Sequence, residues 1–549
     1  MKVDLWTPSG GFTLEPNAFT AATDTAGHRL LIAGPGAGKT EVLAQRADFL
    51  LRTGQCPYPR RILAIAFKTD AASNLRQRVA DRCGRDLASR LDSYTFHGFA
   101  KRLIDSYRVV LTGDDALDPD FQVGPTRIER RQITFDDMVP LGTAILEASA
   151  VARNAVRNTY SHVFLDEFQD CTTQQYRLLQ AAFRPESAML TAVGDLKQQI
   201  MGWAGALDGI FGDLVSDYGA EPLYLYQNFR SAPRIRRMHN AMVRVMDPEA
   251  AITDADLAGD DGDVLVEHYA TAADEAVGVA DAIEQWIAHD GLSPSEIAVL
   301  VRQQASLFAL ELMNELSSRG IAFRNEQEVQ DAFSEPLGEL ILDFVSVAIH
   351  ARQPDAYARL MARVAPATDD EEFDQMNAAR WRRRIERSRS VLSEPDGHGE
   401  MLLLEVEAFL DEVGDDTLIA LSPSYANRGW FDELRGSVFA SLAMMIEQGN
   451  GRLDALTHVN DDGAVRFLTI HKAKGLEFHS VIVLGVENET FWSRKATVNR
   501  SEFFVAVSRA KERLVLTVAG FRAEPPGVYR WDESRSPQEE FLGYVAELD

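Results

Sequence analysis

Ala33-Gly34-Pro35-Gly36-Ala37-Gly38-Lys39-Thr40 follows the apolar run Leu30-Leu31-Ile32 and precedes a stretch with Leu43, Ala47 and Leu50 on one helical face, closed by Gly54. A strand, a glycine-rich loop and a helix in that order form a phosphate cradle. Small residues let the backbone N–H groups of Gly34, Pro35's neighbours, Gly36, Ala37 and Gly38, with the positive end of the helix, wrap a triphosphate. Lys39 is placed to neutralise the β and γ oxygens, and Thr40 to offer a hydroxyl to Mg²⁺. A dinucleotide fold also uses clustered glycines, but Gly-Lys-Thr favours a nucleoside triphosphate. Ala33 stands where the usual pattern has its first glycine, a change small enough for the loop to tolerate.

Outward from this loop, short apolar runs alternate with helical patterns: Leu30-Leu31-Ile32, Ile62 to Phe67, Val163-Phe164-Leu165, Leu190 to Val193, Ile297 to Val301, Val481 to Leu484 and Leu514 to Val518. Such runs mark strands buried on both faces of parallel α/β sheets. Four lie before residue 200 and three after 290, which predicts two α/β cores. Asp247 to Asp263, acidic and rich in Gly and Ala, reads as a surface connection. From 336 to 461 the alternation gives way to helical stretches such as Leu337 to Ile349 and Met401 to Val413, predicting a helical insertion in the second core. The boundaries read are 1–218 for the first core, 219–335 and 462–549 for the two parts of the second, and 336–461 for the insertion.

At 549 residues the chain exceeds one compact core, and 46% hydrophobic with 25% charged residues is ordinary globular composition. No apolar run approaches the ~18 residues of a spanning helix, and the start MKVDLWTPSGGF lacks an apolar signal core, so a cytoplasmic protein without a membrane partner is expected. Cys56, Cys83 and Cys171 are too few and too scattered for a disulfide framework or a thiolate metal site. Lys and Arg number 56 against 83 Asp and Glu, a formal charge of −27 that opposes general adhesion to nucleic acid and confines any such contact to a local groove.

Val163-Phe164-Leu165 leads into Asp166-Glu167-Phe168-Gln169-Asp170, acids at the carboxyl end of a buried strand, where α/β proteins place their chemistry. Asp166 can join the Mg²⁺ shell, and Glu167 can orient and deprotonate an attacking water. Gln227-Asn228-Phe229-Arg230-Ser231 follows Leu223-Tyr224-Leu225, and Val505-Ala506-Val507-Ser508-Arg509-Ala510 precedes the last strand; both are assigned to the second core. Arg230 and Arg509 could reach a γ-phosphate from the far side of a cleft, so that hydrolysis alters how the cores attract each other. As isolated features they are surface ion-pair partners.

The order of these motifs resembles superfamily 1A DNA helicases of the UvrD/Rep type. The resemblance also takes in Ala64-Ile65-Ala66-Phe67-Lys68, Tyr94-Thr95-Phe96-His97-Gly98, Val193-Gly194-Asp195 with Gln198, Gly202-Trp203, and Thr469-Ile470-His471-Lys472-Ala473-Lys474-Gly475-Leu476-Glu477-Phe478. It implies two RecA-like P-loop NTPase domains with parallel sheets and a mainly helical insertion in the second. It further implies ATP and Mg²⁺ as cofactors, Gln198 as a γ-phosphate sensor, Arg230 and Arg509 as arginine fingers, Phe229 stacked on adenine and Glu477 on the ribose. Phe67, Thr95, His97, Trp203 and His471 are implied as contacts along a single DNA strand, where stacking is indifferent to sequence. Ala18 occupies the place of the family's adenine-reading glutamine. Met201 and Ala204 replace a tyrosine and an arginine beside Trp203, which predicts a weaker grip on DNA. About residues 108–134 only a stub stands where relatives carry an accessory domain, and the 336–461 insertion is reduced, so feeble unaided unwinding is expected.

Arg380, Arg382, Arg383, Arg384, Arg387 and Arg389 around Trp381 could meet duplex phosphates or an acidic partner, or form a solvated helix paired with Asp369 to Glu372. Phe521 to Trp531, with Pro525-Pro526-Gly527, is either a duplex wedge or tail packing. The leading function is an ATP-driven 3′ to 5′ translocase on single-stranded DNA or a single-strand/duplex junction, moved by closure of two cores. The alternative is a DNA-stimulated ATPase subunit that licenses a partner nuclease, as in Gabija-type phage defence or a repair complex. A switch without nucleic acid leaves Arg230, Arg509 and Thr95-Phe96-His97 without a task.

Overall fold

Arg29–Ala33 (β1) is the first strand of the first sheet. Around it the chain builds β2 (Arg61–Ala66), β3 (Leu91–Thr95), the short pair β4 (Leu117–Val123) and β5 (Arg130–Ile133), β6 (Tyr160–Leu165), β7 (Met189–Gly194) and β8 (Glu221–Leu225). The computed structural model describes the whole chain except residues 68, 124–126, 185–187, 201–205, 208, 254–256, 327–332, 334, 350–352, 366–370, 393–397, 420, 422–424, 426–427, 449–462, 494, 526–530 and 547–549. The first sheet runs β3-β2-β6-β7-β1-β8, every pair parallel. Helices Pro16–Thr23, Lys39–Arg52 and Thr69–Cys83 cover one face, and Phe96–Tyr107, Phe135–Ala148, Thr173–Phe183 and Ile210–Tyr218 the other. Helices on both faces explain why β6 is buried at every residue, its polar Ser161 and His162 included, and why it ends in the apolar run Val163-Phe164-Leu165.

The second sheet comprises β9 (Asp263–Tyr269), β10 (Ile297–Val301), β11 (Phe323–Asn325), β12 (Val465–Thr469), β13 (Phe478–Val483) and β14 (Ala510–Ala519). Its order is β11-β12-β10-β13-β14-β9, again all parallel. Two six-stranded parallel sheets, each sandwiched by helices, agree with the α/β class and with two cores. One assignment is corrected. Leu223-Tyr224-Leu225 belongs to β8, which pairs with β1 from Arg29↔Glu221 to Ala33↔Leu225, so the first sheet extends past residue 218 and the chain crosses to the second core only after it.

The insertion forms its own apolar core from helices Pro336–Ile349, Pro354–Val364, Glu371–Leu392, His398–Val413 and Arg428–Gln448. Trp381 is buried there, edge-on to Phe409. The arginines do not act as one face. Arg384 is buried and pairs with Glu405 at 2.8 Å and Glu412 at 3.2 Å, while Arg380 meets Glu412 at 3.1 Å. Arg389 donates to the Val347 carbonyl, and Arg382, Arg383 and Arg387 are exposed. The acidic partners observed thus come from the neighbouring helix; residues 369 and 370 of the expected run lie outside the described residues. Between 108 and 134, β4 and β5 form a small sheet of their own in place of a domain. No helix among the described residues is long and apolar enough to cross a membrane.

Candidate functional site

The phosphate loop leaves β1 and enters the helix Lys39–Arg52 through two left-handed glycines, Gly36 at φ 70° and Gly38 at φ 75°. Gly36 is required for a second reason. The Phe229 N–H donates to its carbonyl at 3.0 Å, and a Cβ at position 36 would stand 2.7 Å from the Arg230 Cβ. The Gln227-to-Ser231 segment therefore lies directly on the loop, its turn fixed by Asn228 Oδ1, which accepts from the backbone N–H groups of Arg230 and Ser231. Phe229 is left 66% exposed, a free ring face beside the cradle.

Three neighbouring strands bring the reactive groups to one edge. Lys39 Nζ, from the loop after β1, lies 4.0 Å from Glu167 Oε1, which follows β6. Asp166 is buried and bonded to Thr40. Burial, and next to it the Glu167 carboxylate, pushes the Asp166 carboxyl above the usual carboxylate range, whereas against the same burial Lys39 and Lys474 hold Glu167 below it. Gln169 donates to Glu167 Oε2 at 2.6 Å and accepts from the Asp195 N–H at 3.0 Å, tying the loop after β6 to that after β7. Glu167 itself adopts the left-handed conformation, φ 50°.

The second core closes the cleft. Arg509, buried, donates through Nη2 to Gln198 Oε1 at 3.1 Å and through Nη1 to the Leu476 carbonyl at 3.0 Å. Gln198 in turn donates to Asp195 at 2.9 Å. Arg230 donates to Glu477 at 2.8 Å and to the Ser508 carbonyl at 3.0 Å, and Glu477 also pairs with Lys511 at 3.0 Å. Burial works against the Arg509 charge, and Arg230 adds to that, so the crevice favours an arriving anion. Lys474 spans the same cleft: its ammonium donates to Asp170 Oδ2 at 2.6 Å and to the Gln198 carbonyl at 2.7 Å, with both charged side chains buried. The Gln169 and Lys474 contacts were not read from the sequence, although both residues sit inside the quoted motifs.

Along the rim of the first sheet, Phe67 follows β2 half-buried, and Thr95 ends β3 by capping the helix Phe96–Tyr107 through the Gly98 N–H at 3.0 Å. His97 stacks on Phe135, ring centres 3.8 Å apart and planes 24° apart, and Phe135 is 56% exposed. Phe135 was missed because its signal is only position: it opens a helix beside that of His97. Burial holds the imidazoles of His97 and His471 below their ordinary pKa, with Asp136 and Glu502 respectively opposing, so both rings lean neutral. Trp203, with Met201 and Ala204, lies outside the described residues. Ala18 is buried in the helix Pro16–Thr23, whose Asn17 donates to the Tyr224 carbonyl at 2.7 Å. Of the tail aromatics, Trp531 packs on Phe308 and under Arg535 and donates to the Arg522 carbonyl at 2.8 Å, while Phe521 is exposed.

The UvrD/REP helicase N-terminal domain family matches residues 14–125 and 122–219, and the UvrD-like helicase C-terminal domain family residues 437–520. Curated relatives include DNA helicase II of Escherichia coli (strain K12), 24% identical over 90% of this chain and 82% of its own length. The ATP-dependent DNA helicase PcrA of Staphylococcus epidermidis is 24% identical over 91% of this chain and 83% of its own, and PcrA of Bacillus subtilis 23% over 93% and 83%.

Proposed function

Because the chain belongs to the UvrD/Rep family of ATP-dependent DNA helicases, we propose that it is a motor that moves 3′ to 5′ along single-stranded DNA as two lobes open and close on ATP. The observation that carries this reading is the pairing of Arg509 with Gln198 across the cleft, directly beside the Lys39 and Glu167 pair. One lobe thus presents a lysine and a carboxylate, the other two guanidinium groups, to one crevice.

In this mechanism the backbone of Gly34 to Gly38 and the Lys39 ammonium bind the phosphates. Phe229 stacks on the base and Glu477 takes the ribose hydroxyls. Thr40 and Asp166 would hold Mg²⁺: a hydroxyl bonded to a buried carboxyl whose charge is poorly compensated is an oxygen donor set suited to that ion. When bound, the ion would supply positive charge to offset that of the phosphates. Glu167, held ionised by its lysine neighbours and aimed by Gln169, accepts the proton of the attacking water. Arg230 and Arg509 stabilise the charge that develops on the transferred phosphoryl group. Once that group departs, the guanidinium groups lose the anion that drew the lobes together, and the cleft relaxes. The strand lies over Phe67, Thr95, His97, Phe135 and His471, with Trp203 assigned to the same path.

ATP hydrolysis by the purified chain should rise many-fold with single-stranded DNA and vanish in Lys39→Ala, and a tailed duplex should be displaced only from a 3′ tail. Hydrolysis indifferent to DNA would sink the motor reading.

A further inference from the structure

Three neighbouring strands of the second sheet end in a side-chain cluster that the nucleotide site does not use. Arg302 follows the last residue of β10, His471 lies just past β12, and the loop after β13 carries Thr490, Phe491 and Trp492. The strands stand side by side in the order β12-β10-β13, so the three loops share one rim. Arg302 ties them together. It donates to Glu502 Oε2 at 2.8 Å and to the Thr490 carbonyl at 2.5 Å, and its guanidinium stands 5.7 Å from the Phe491 ring and 5.2 Å from the Trp492 ring. The other Glu502 oxygen lies 3.9 Å from His471 Nε2. Phe491 is buried, edge-on to Phe503 and Phe541, and anchors the loop.

Trp492, next in the chain, is 63% exposed. An indole kept in water forgoes the burial that its area would reward, yet this one is held in place by a cation near its ring. A planar ring of fixed orientation with an open face is the device by which a groove holds a single strand, since every base has a π-face. A protein surface could also take an exposed tryptophan, but two observations favour a base. The ring is joined through Arg302 and Glu502 to His471, and in a chain of net charge −27 Lys472 follows His471 directly and Lys495 lies three residues after Trp492.

We propose that Trp492 is a stacking platform for one base of the bound strand, the second lobe's counterpart of the His97–Phe135 pair. The inference rests on the reading of the His471 rim as part of the strand path.

The test uses the full chain, wild type, Trp492→Ala and Trp492→Phe, titrated by fluorescence anisotropy with labelled oligodeoxythymidine and with the same backbone made abasic. Trp492→Ala should weaken binding to oligodeoxythymidine by roughly tenfold or more, as expected for losing one base–aromatic stack. Trp492→Phe should recover most of that loss, and on the abasic backbone all three should bind alike. Melting curves that coincide with wild type exclude a folding defect. A loss of equal size on both backbones makes the contact one to phosphate and overturns the proposal. Wild-type affinity in Trp492→Ala also overturns it and leaves the ring to a protein contact. Failure of the wild type to bind either backbone instead overturns the functional reading beneath it.

Discussion

Glu167 owes its position to a neighbour two residues on. Gln169 grips its Oε2 at 2.6 Å and is itself anchored by the Asp195 N–H at 3.0 Å, so the carboxylate is aimed from the end of the next strand in the chain, which is also its neighbour in the sheet. Gln169→Ala should lower kcat for ATP hydrolysis by on the order of 10²-fold, the scale of misplacing a catalytic group by about an ångström. KM for ATP should hardly change, because Gln169 acts through Glu167 and not on the nucleotide; steady-state kinetics with a large KM shift would refute the positioning role. Gly36 carries a sharper constraint. Ala at 36 is strained at φ 70° and drives its methyl into Arg230, so Gly36→Ala should detach the Gln227-to-Ser231 segment and abolish DNA-stimulated hydrolysis even where filter binding still detects ATP. At this scale the sequence reveals residue chemistry: Lys39, Thr40, Asp166 and Glu167 follow strand ends in their own motifs. It hides pairings such as Gln169 with Asp195, because nothing in the spacing of two motifs states which loop ends lie side by side.

Elements divide in the same physical way. β10 and the second half of β6, in strands buried at every residue, stand out as apolar runs. The strands that escaped notice or were misplaced include all four edges: β3 and β8 bound the first sheet, β9 and β11 the second. An edge strand is half-solvated, and β8, Glu221-Pro222-Leu223-Tyr224-Leu225, carries an acid and a proline that no central strand would accept. Its assignment to the wrong core followed from that, since only hydrogen-bond partners, not composition, tell which sheet an edge joins. The insertion shows a further limit: six arginines in one helix look alike in sequence, yet Arg384 is buried and Arg383 exposed. Removing one member of a buried ion pair costs about 3 to 5 kcal/mol, because the other charge is left in the interior. Arg384→Ala should therefore destabilise the insertion by an amount near the lower end of that range. Hydrogen exchange should show lost protection in Glu371–Leu392 and His398–Val413, with β1, β6 and β10 unaffected. Arg383→Ala should leave exchange as in wild type; equal effects of the two substitutions would contradict the assigned burial.

The whole molecule is a polyanion that must hold another polyanion. With −27 formal charges, and with His97 and His471 leaning neutral, the proposed strand path would depend on ring faces more than on cations. The affinity for single-stranded DNA should consequently fall only shallowly with salt, with a log–log slope of about −2, as expected for roughly three neutralised phosphates at ~0.7 each; a slope of −5 or steeper would mean a charged groove elsewhere. The two lobes face a related problem, because each carries buried charge at the cleft. Lys474 addresses it by donating to Asp170 and to the Gln198 carbonyl, making one buried ion pair shared between the sheets. Lys474→Ala removes the buried cation that Asp170 faces across the cleft, and the carboxylate's charge is then relieved by proton uptake or by the cleft opening to water. Small-angle scattering should then report a larger radius of gyration, and DNA-stimulated kcat should fall while the sheets remain folded by circular dichroism. Adding Asp170→Asn removes the carboxylate's charge, so the double variant should scatter more like wild type than Lys474→Ala alone, a non-additivity expected only of groups in contact. If the double variant is as open as the single one, the lobes are joined by the arginine contacts and not by this lysine.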